Sequence, residues 1–258
     1  MGINAPLLID RIGSEADLFL DRDRDRTESI ALHRHPHGEL GLIRRGHIVT
    51  ATEQARWMIP AGQAYWVPPY MAHGGDMAGV DGCRLYISAS LARALMPSEP
   101  AALTATPLME ALMSRWERDL QAPCLVRPID HHLLAVMRDE IESNLASPVL
   151  LPMPRHALTR AVLSEWARHC EEKLSLDDLA SKCRLSRRSF TRRFHAETGL
   201  SPGAWMQIAR IIRGCQLLAA GLPVTEIALM LGYESVTSFV ALCRAHTGFN
   251  PTTLRQKI

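Results

Sequence analysis

The C-terminal part of the chain contains one sequence pattern written twice. The first copy begins at Leu176 and ends at Pro202, and the second begins at Val224 and ends at Pro251. The copies are offset by 48 residues in their opening segments and by 49 residues afterwards, so one residue is inserted at the turn between these parts. Apolar residues recur in both copies at helical spacing. The repeat therefore predicts two equivalent helical units.

Each copy has the pattern of a helix-turn-helix unit. The opening helix contains a small residue, Ala180 or Ala228, which allows the next helix to cross it closely. A turn follows, and Gly232 in the second copy is suited to a positive φ there. We predict the two units at about residues 176–197 and 224–246.

The second helix of each copy carries a cap and an aromatic residue. Ser186 and Ser235 precede these helices and predict their N-caps. Phe190 and Phe239 hold equivalent positions inside them and are expected to point into a core. The opposite faces then remain available for a DNA major groove. A helical repeat used only for packing or protein contact is the alternative.

The second helix of the first copy is rich in arginine. Arg187, Arg188, Thr191 and Arg192 lie on the side of this helix away from Phe190. A packing helix has little use for these charges, whereas arginine contacts phosphates and the major-groove edge of guanine. This composition favours DNA binding over packing alone.

Charge is divided unevenly along the chain. Residues 1–154 contain 14 Arg and no Lys against 19 acidic residues, which gives a net charge of −5. Residues 155–258 contain 15 basic against 8 acidic residues, a net charge of +7. The division predicts that only the C-terminal part binds a polyanion, and that this binding weakens with salt.

Composition also limits where the chain works. No apolar run reaches the roughly 18 residues that span a bilayer, and the first residues lack the pattern of a signal peptide. The six cysteines form no C-x-x-C pair, which suits reduced thiols rather than zinc ligands or disulfides. We expect a cytoplasmic protein without a membrane partner.

The N-terminal part has a different pattern. Short apolar or β-branched stretches recur about every ten residues over 1–90, which predicts a small barrel or sandwich. The run Asp21–Arg26 is expected to be a solvated loop. Apolar stripes at helical spacing follow, over Leu108–Trp116 and Leu133–Ile141, and these are expected to form either core or a dimer surface. The prolines at 148–154 predict a linker.

Four residues of the N-terminal part suggest a metal site. His33 and His35 are two residues apart and would share one face of a strand. Glu39 follows after a short bend, and His73 can approach from a neighbouring strand. Three imidazoles and a carboxylate suit a divalent transition metal, the one cofactor predicted.

Residues from about 158 to 256 resemble the DNA-binding domain of the AraC/XylS family of bacterial transcription regulators. The resemblance rests on Ile227-Ala228-x3-Gly232-Tyr233-x-Ser235-x2-Ser238-Phe239, closed by Gly248-x2-Pro251. It implies that Arg188, Thr191 and Arg192 face bases, with Arg187 and Ser189 nearer phosphate. The matching positions of the second unit are Val236, Thr237 and Ser238. Ser235 is a further predicted DNA contact, and Arg244 is expected near phosphate. Ala241 and Cys243 depart from the family pattern, so we expect specificity to rest mainly on the first unit.

Ala204–Leu218, between the copies, predicts an amphipathic helix. At 1.5 Å per residue it would be about 22 Å long. The second helix of each unit is the one expected to enter the DNA major groove, and we call these the two reading helices. A connecting helix of this length is suited to holding them about one DNA turn apart, near 34 Å.

The N-terminal spacing resembles the two motifs of the cupin fold. The first motif fits fully, whereas the second has Tyr70 in place of a glycine and Met77 in place of a closing asparagine. The resemblance implies a cupin-like sensor barrel, in which the four residues either bind metal or line a pocket for an organic effector. Trp57, Tyr65, Trp66 and Tyr70 are candidates for the effector pocket.

The predicted fold class is therefore α+β multidomain. A cupin-like barrel is placed at 1–100, a helical connector and linker at 101–153, and a tandem helix-turn-helix domain at 154–258. We predict a transcription regulator, not an enzyme, that binds double-stranded DNA under control of a small-molecule or metal effector. Further predicted partners are a second copy of the chain and, for an activator, RNA polymerase. A metal-dependent cupin enzyme with a DNA-binding tail is the alternative.

Overall fold

The structure is a computed structural model in which the chain forms two compact units. It describes residues 16–120, 122, 124–146, 149–171, 174–247 and 250–257. The first unit contains the described residues up to Ile48 and from Ile59 to 146. The second contains Val49–Met58 and the described residues from Val149 onward. Ser147 and Pro148, at the predicted linker, lie outside the described residues, as does Gly248 of the family motif.

An antiparallel sheet forms the first unit. Strand β1 pairs with β5, β5 with β2, β2 with β4, and β4 with β6. Their bounds are β1 Leu18–His33, β2 His37–Thr52, β4 Gln63–Val67, β5 His73–Ser88 and β6 Ala101–Thr104. The helices of this unit are α1 Ala89–Leu95, α2 Pro107–Asp119 and α3 Pro128–Ser143. The run Asp21–Arg26, expected in a loop, belongs to β1.

Helices α2 and α3 belong to the same hydrophobic core as the strands. Trp116 of α2 and Leu134 of α3 are fully buried in the cluster that also contains Leu42 and Trp66. The prediction separated 101–153 from the barrel as a connector. The difference arises because helical periodicity shows that one face is apolar but not which surface it packs against.

The second unit combines helices with a β-hairpin over Val49–Met58, which is formed by the end of β2 and the strand that follows it. Strand β3 (Ala55–Pro60) follows the end of β2, and its residues up to Met58 pair antiparallel with β7 (Val149–Pro152). The indole Nε1 of Trp205 donates a hydrogen bond of 2.7 Å to the carbonyl of Pro152. The helices are α4 Ala157–Arg168, α5 Leu176–Lys182, α6 Arg187–Thr198, α7 Pro202–Ala219, α8 Val224–Met230, α9 Val236–Thr247 and α10 Pro251–Lys257.

The two helix-turn-helix units are α5–α6 and α8–α9, and their caps follow the prediction. The backbone N–H of Ser189 donates to Ser186 Oγ at 3.3 Å, and that of Ser238 donates to Ser235 Oγ at 3.1 Å. These bonds satisfy amide groups that the first turn of each helix leaves unpaired. Between the two helices, α7 has 18 residues and is about 27 Å long.

The turns of the two units have the same backbone hydrogen bonds. The amide of Leu185 donates to the carbonyl of Ala180 at 2.9 Å, and the amide of Tyr233 donates to the carbonyl of Ala228 at 2.9 Å. Since these pairs keep the offset of 48 and the caps have an offset of 49, the inserted residue is Glu234.

The observed architecture confirms the predicted fold class. A β-sheet domain precedes a helical domain that contains both helix-turn-helix units. Among the described residues, no helix is both long and apolar enough to cross a membrane.

Candidate functional site

Three histidines meet at one end of the sheet in the first unit. His33 ends β1 and lies opposite His73, the first residue of β5, in the antiparallel register. His35 lies in the connection between β1 and β2. One ring nitrogen of each histidine lies within 4.8 Å of the other two. The structure thus brings together three of the predicted ligands, although His35 follows the strand rather than belonging to it.

Backbone carbonyls hold all three rings through Nδ1. His33 Nδ1 lies 3.0 Å from the carbonyl oxygen of Ala31. His35 Nδ1 lies 2.8 Å from that of His37, and His73 Nδ1 lies 2.8 Å from that of Met71. A carbonyl oxygen only accepts, so each Nδ1 carries the hydrogen in the neutral ring, and Nε2 keeps its lone pair. The buried Nε2 atoms of His35 and His73 form no hydrogen bond with a described residue.

Glu39 lies beside this cluster and is buried on β2. Its Oε1 accepts a hydrogen bond of 2.5 Å from the hydroxyl of Tyr65. Its Oε2 lies 3.6 Å from Nε2 of His35 and 3.6 Å from Nε2 of His73, beyond good hydrogen-bond distance. The fourth predicted ligand therefore adjoins the histidines while one of its oxygens is already bound.

The charges of this site perturb one another. Burial raises the pKa of Glu39, but contacts with His35 and His73 lower it by more, so its pKa lies well below the ordinary range. Burial lowers the pKa of His73, and Glu39 reverses this effect, so the net shift is upward. Burial and the charge of Glu39 both raise the pKa of Tyr65. A protonated Tyr65 thus donates to an ionised Glu39.

Sequence reasoning missed a buried ion-pair network around Arg84. This guanidinium donates to Asp23 Oδ2 at 3.0 Å through Nε and to Asp21 Oδ2 at 2.6 Å through Nη2. Its Nη1 donates to the hydroxyl of Tyr86 at 3.1 Å. The available signal was the alternation of Asp and Arg after residue 20, which places the aspartates on one face of a strand.

Two of the four predicted pocket aromatics, Tyr65 and Trp66, lie on opposite faces of β4. Trp66 is fully buried in the hydrophobic core, while its neighbour Tyr65 reaches Glu39 on the other face of β4. Tyr70 is 58% exposed. Trp57 is buried and belongs to the second unit. Adjacent strand residues point to opposite faces, so Tyr65 and Trp66 cannot line the same cavity wall.

The reading helix α6 presents arginine to solvent. Arg187, Arg188 and Arg192 are exposed, and Ser189 and Thr191 are partly buried. Arg187 forms an ion pair of 3.0 Å with an aspartate of α5. Arg188 and Arg192 have no ion-pair partner among the described residues. They are four residues apart on one helix face, where like charges repel, and an anionic partner would relieve this repulsion.

The reading helix α9 presents few charges. Thr237 and Ser238 are exposed, as is Ser235 at the cap, and Val236 is half-buried. Arg244 is exposed in the last turn. All ten predicted DNA contacts thus lie on the two helices or their caps.

Both domains of the chain match family models of known proteins. A family model described as an AraC-like ligand binding domain matches residues 15–139, and a helix-turn-helix domain model matches residues 179–257. The HTH-type transcriptional regulator NimR of Escherichia coli (strain K12) is 29% identical over 221 residues, which cover 85% of this chain and 80% of that protein. The MmsAB operon regulatory protein of Pseudomonas aeruginosa is 28% identical over 250 residues, covering 91% of this chain and 80% of that protein.

Solved structures give lower overall similarity. The DNA-binding domain of AdpA, in complex with a target DNA, has 27% identity and a TM-score of 0.36, and covers 39% of this chain and 92% of that chain. ToxT from Vibrio cholerae has 10% identity and a TM-score of 0.38, and covers 94% of this chain and 99% of that chain.

Proposed function

Because the chain belongs to the AraC family of DNA-binding transcription regulators, with a ligand-binding domain ahead of a helix-turn-helix domain, we propose that a divalent transition metal in the sensor domain controls its operator binding. The metal would be held by His33, His35 and His73. The observation that supports this proposal is that one ring nitrogen of each histidine lies within 4.8 Å of the other two, while each Nδ1 lies beside a backbone carbonyl.

The donor set fits such a metal. Imidazole nitrogen suits zinc, copper, iron and nickel. A histidine ligand usually donates its other N–H to a carbonyl or carboxylate, which fixes the tautomer and the ring direction. His33, His35 and His73 already have this arrangement. Glu39 adds a negative charge beside two of the rings and compensates part of a cation's charge.

A bound metal supplies a Lewis acid that can hold an oxygen or nitrogen donor of an effector. The chain's own residues orient the three imidazoles and keep Glu39 ionised beside them. Ligand binding shifts the equilibrium between two conformations of the regulator only if the ligand has a different affinity for each conformation. An organic effector that uses the same residues without metal is the second candidate.

The proposed role is regulatory and not catalytic, and it is supported by relatives that are transcription regulators. The six cysteines are free thiols, which supports a reducing cytoplasm as the place of action. RNA polymerase is the proposed partner if the protein activates transcription.

A homodimer is the proposed assembly. Along α3, Ile129 and Val136 are each 40% exposed, and Leu133 between them is partly buried. The spacing of four and three residues places all three on one helix stripe, beside the core stripe that contains Leu134, and Leu133 packs partly against that core. Ile129→Glu and Val136→Glu should therefore shift a dimer towards monomer in sedimentation equilibrium.

The test combines metal content with DNA binding. The full-length protein should contain about one metal ion per chain, and chelation should change its operator affinity by at least about fivefold, the lower end of usual coupling. His33→Ala/His35→Ala should abolish both effects. His131→Ala is the control, since this histidine is exposed on α3 on the side away from Ile129 and Val136.

Two outcomes would contradict the metal proposal. One is a preparation that binds no added Zn²⁺, Fe²⁺ or Ni²⁺. The other is metal-free protein whose operator binding still responds fully to its inducer. The second result would select the organic effector.

A further inference from the structure

The exposed faces of α6 and α9 correspond residue by residue. The offset of 49 equates Thr237 with Arg188 and Ala241 with Arg192, and all four side chains are exposed. The opposite face of α9 is anchored by the fully buried Phe239. The two helices therefore present equivalent surfaces to DNA, but with opposite chemistry.

The hydroxyl groups at the start of α9 are mostly engaged. Ser235 Oγ accepts from the amide of Ser238 at 3.1 Å, and the two Oγ atoms lie 2.9 Å apart. Thr237 has no hydrogen bond from its side chain to a described residue. Beside it, Val240 is half-buried and Ala241 is exposed. The first turns of this face consequently offer methyl groups and one hydroxyl, and a charged side chain, Arg244, appears only in the last turn.

The major groove contains one exposed methyl group, at C5 of thymine, and the side chains suited to it are alanine, the threonine methyl and phenylalanine. Arginine is the side chain suited to guanine. Helix α6 has Arg188 and Arg192, whereas α9 has Thr237 and Ala241 at the equivalent positions. We propose that α9 recognises thymine methyl groups through Thr237, Val240 and Ala241, so that the half-site under α9 is specified by thymine. This inference rests on the DNA-reading role of α9 and not on the metal proposal.

The small side chains favour this reading in a second way. Ala241 and Thr237 let the helix approach the base edges closely, because neither is long enough to hold it away. Burying one methyl group contributes about a fourfold change in affinity. Two or three such methyl contacts would give a half-site preference that does not depend on an arginine at these positions.

The experiment removes the methyl group from DNA. Operators are selected from random duplexes with the full-length protein, and the half-site under α6 is identified as the one whose preference is lost in Arg192→Ala. Each thymine of the other half-site is then replaced by deoxyuridine, which lacks only the methyl. We expect Kd to rise about fourfold for each contacted methyl. Deoxyuridine in the α6 half-site is the control and should have a smaller effect, because Thr191, the threonine predicted to face bases there, is partly buried.

Two protein variants complete the test. Thr237→Ser removes the side-chain methyl and keeps the hydroxyl, so it should reduce the thymine-to-uracil difference. Thr237→Val keeps methyl groups and removes the hydroxyl, so it should retain that difference. A cooperative thermal unfolding transition in each variant is the check that both are folded.

Three results would overturn the proposal. The first is a selected α9 half-site that contains no thymine. The second is a uracil substitution in that half-site that changes Kd by less than twofold. The third is an equal effect of Thr237→Ser and Thr237→Val on both DNAs. If selection enriches no sequence, the DNA-reading role fails and the proposal fails with it.

Discussion

Arg184 occupies a backbone conformation that most residues avoid. Its φ is 58°, in the left-handed region, and the equivalent residue of the second unit is Gly232 with φ 77°. The amides of these two residues make the same turn bond, to Ser181 at 2.8 Å and to Leu229 at 3.0 Å. The first unit therefore has a side chain where the turn favours glycine.

Arg184→Gly should stabilise the helical unit. The left-handed conformation costs a residue with a Cβ about 1–2 kcal/mol. Glycine also enlarges the conformational entropy of the unfolded chain, which lowers the free energy of unfolding by about 0.4–1 kcal/mol. The net increase in the free energy of unfolding is about 0.5–1 kcal/mol, which corresponds to about 3 °C in Tm. The Arg184 side chain is exposed, so its removal leaves no cavity.

The reverse substitution is the matched control. A Cβ added at Gly232 meets no atom within 4 Å, so Gly232→Arg tests the backbone conformation without a steric clash. It should lower Tm by a similar amount. The assay is thermal unfolding of the full-length protein followed by circular dichroism at 222 nm. Shifts of the same sign in both variants, or no shift in Arg184→Gly, would refute this reasoning.

Three further predictions concern other parts of the molecule. Burial lowers the pKa of His47 to about 4 from an ordinary 6.5, so the folded state excludes a proton that the unfolded state binds below pH 6.5. Stability should consequently fall by about 2 kcal/mol between pH 7 and pH 5, and urea titrations of His47→Gln should show a smaller fall; equal pH slopes would contradict this. A Cβ at Gly38 would lie 2.1 Å from the Trp66 ring in the core, so Gly38→Ala should lose about 1–3 kcal/mol of unfolding free energy by overpacking; an unchanged urea midpoint would argue against it. Arg192→Ala should reduce operator discrimination by about 1–3 kcal/mol, measured as the ratio of specific to non-specific Kd, and Thr237→Ala should reduce it by less; comparable losses would oppose the expectation that specificity rests mainly on the first unit.

The helical domain was predictable from sequence because its signals are local. Ser186 and Ser235 cap the helices they precede, and a glycine marks the second turn. The inserted residue was also detectable from the offsets, although only the turn bonds identify it as Glu234. The conformation of Arg184 had no local signal, since arginine does not favour a positive φ.

The β-sheet unit was less predictable because its site depends on distant pairing. The histidine spacing indicated a cluster, and the structure brings the rings together. Tyr65, at the site, and Trp66, in the core, could not be told apart from sequence alone, because strand register decides which face each occupies. The partners of Arg84 likewise come from a strand about 60 residues earlier.

The composition of the second unit has a consequence for how such regulators recombine. Its hydrophobic core includes five apolar side chains that precede residue 154, namely Val49, Met58, Val149, Leu151 and Met153. A gene fragment that begins at codon 154 would encode the helices without the strands that cover them. A single genetic crossover near codon 150 would therefore transfer the helices without Val49 and Met58, which belong to the same core. The hairpin over Val49–Met58 and the C-terminal helices should instead be inherited and vary together, although about ninety residues separate them in the chain.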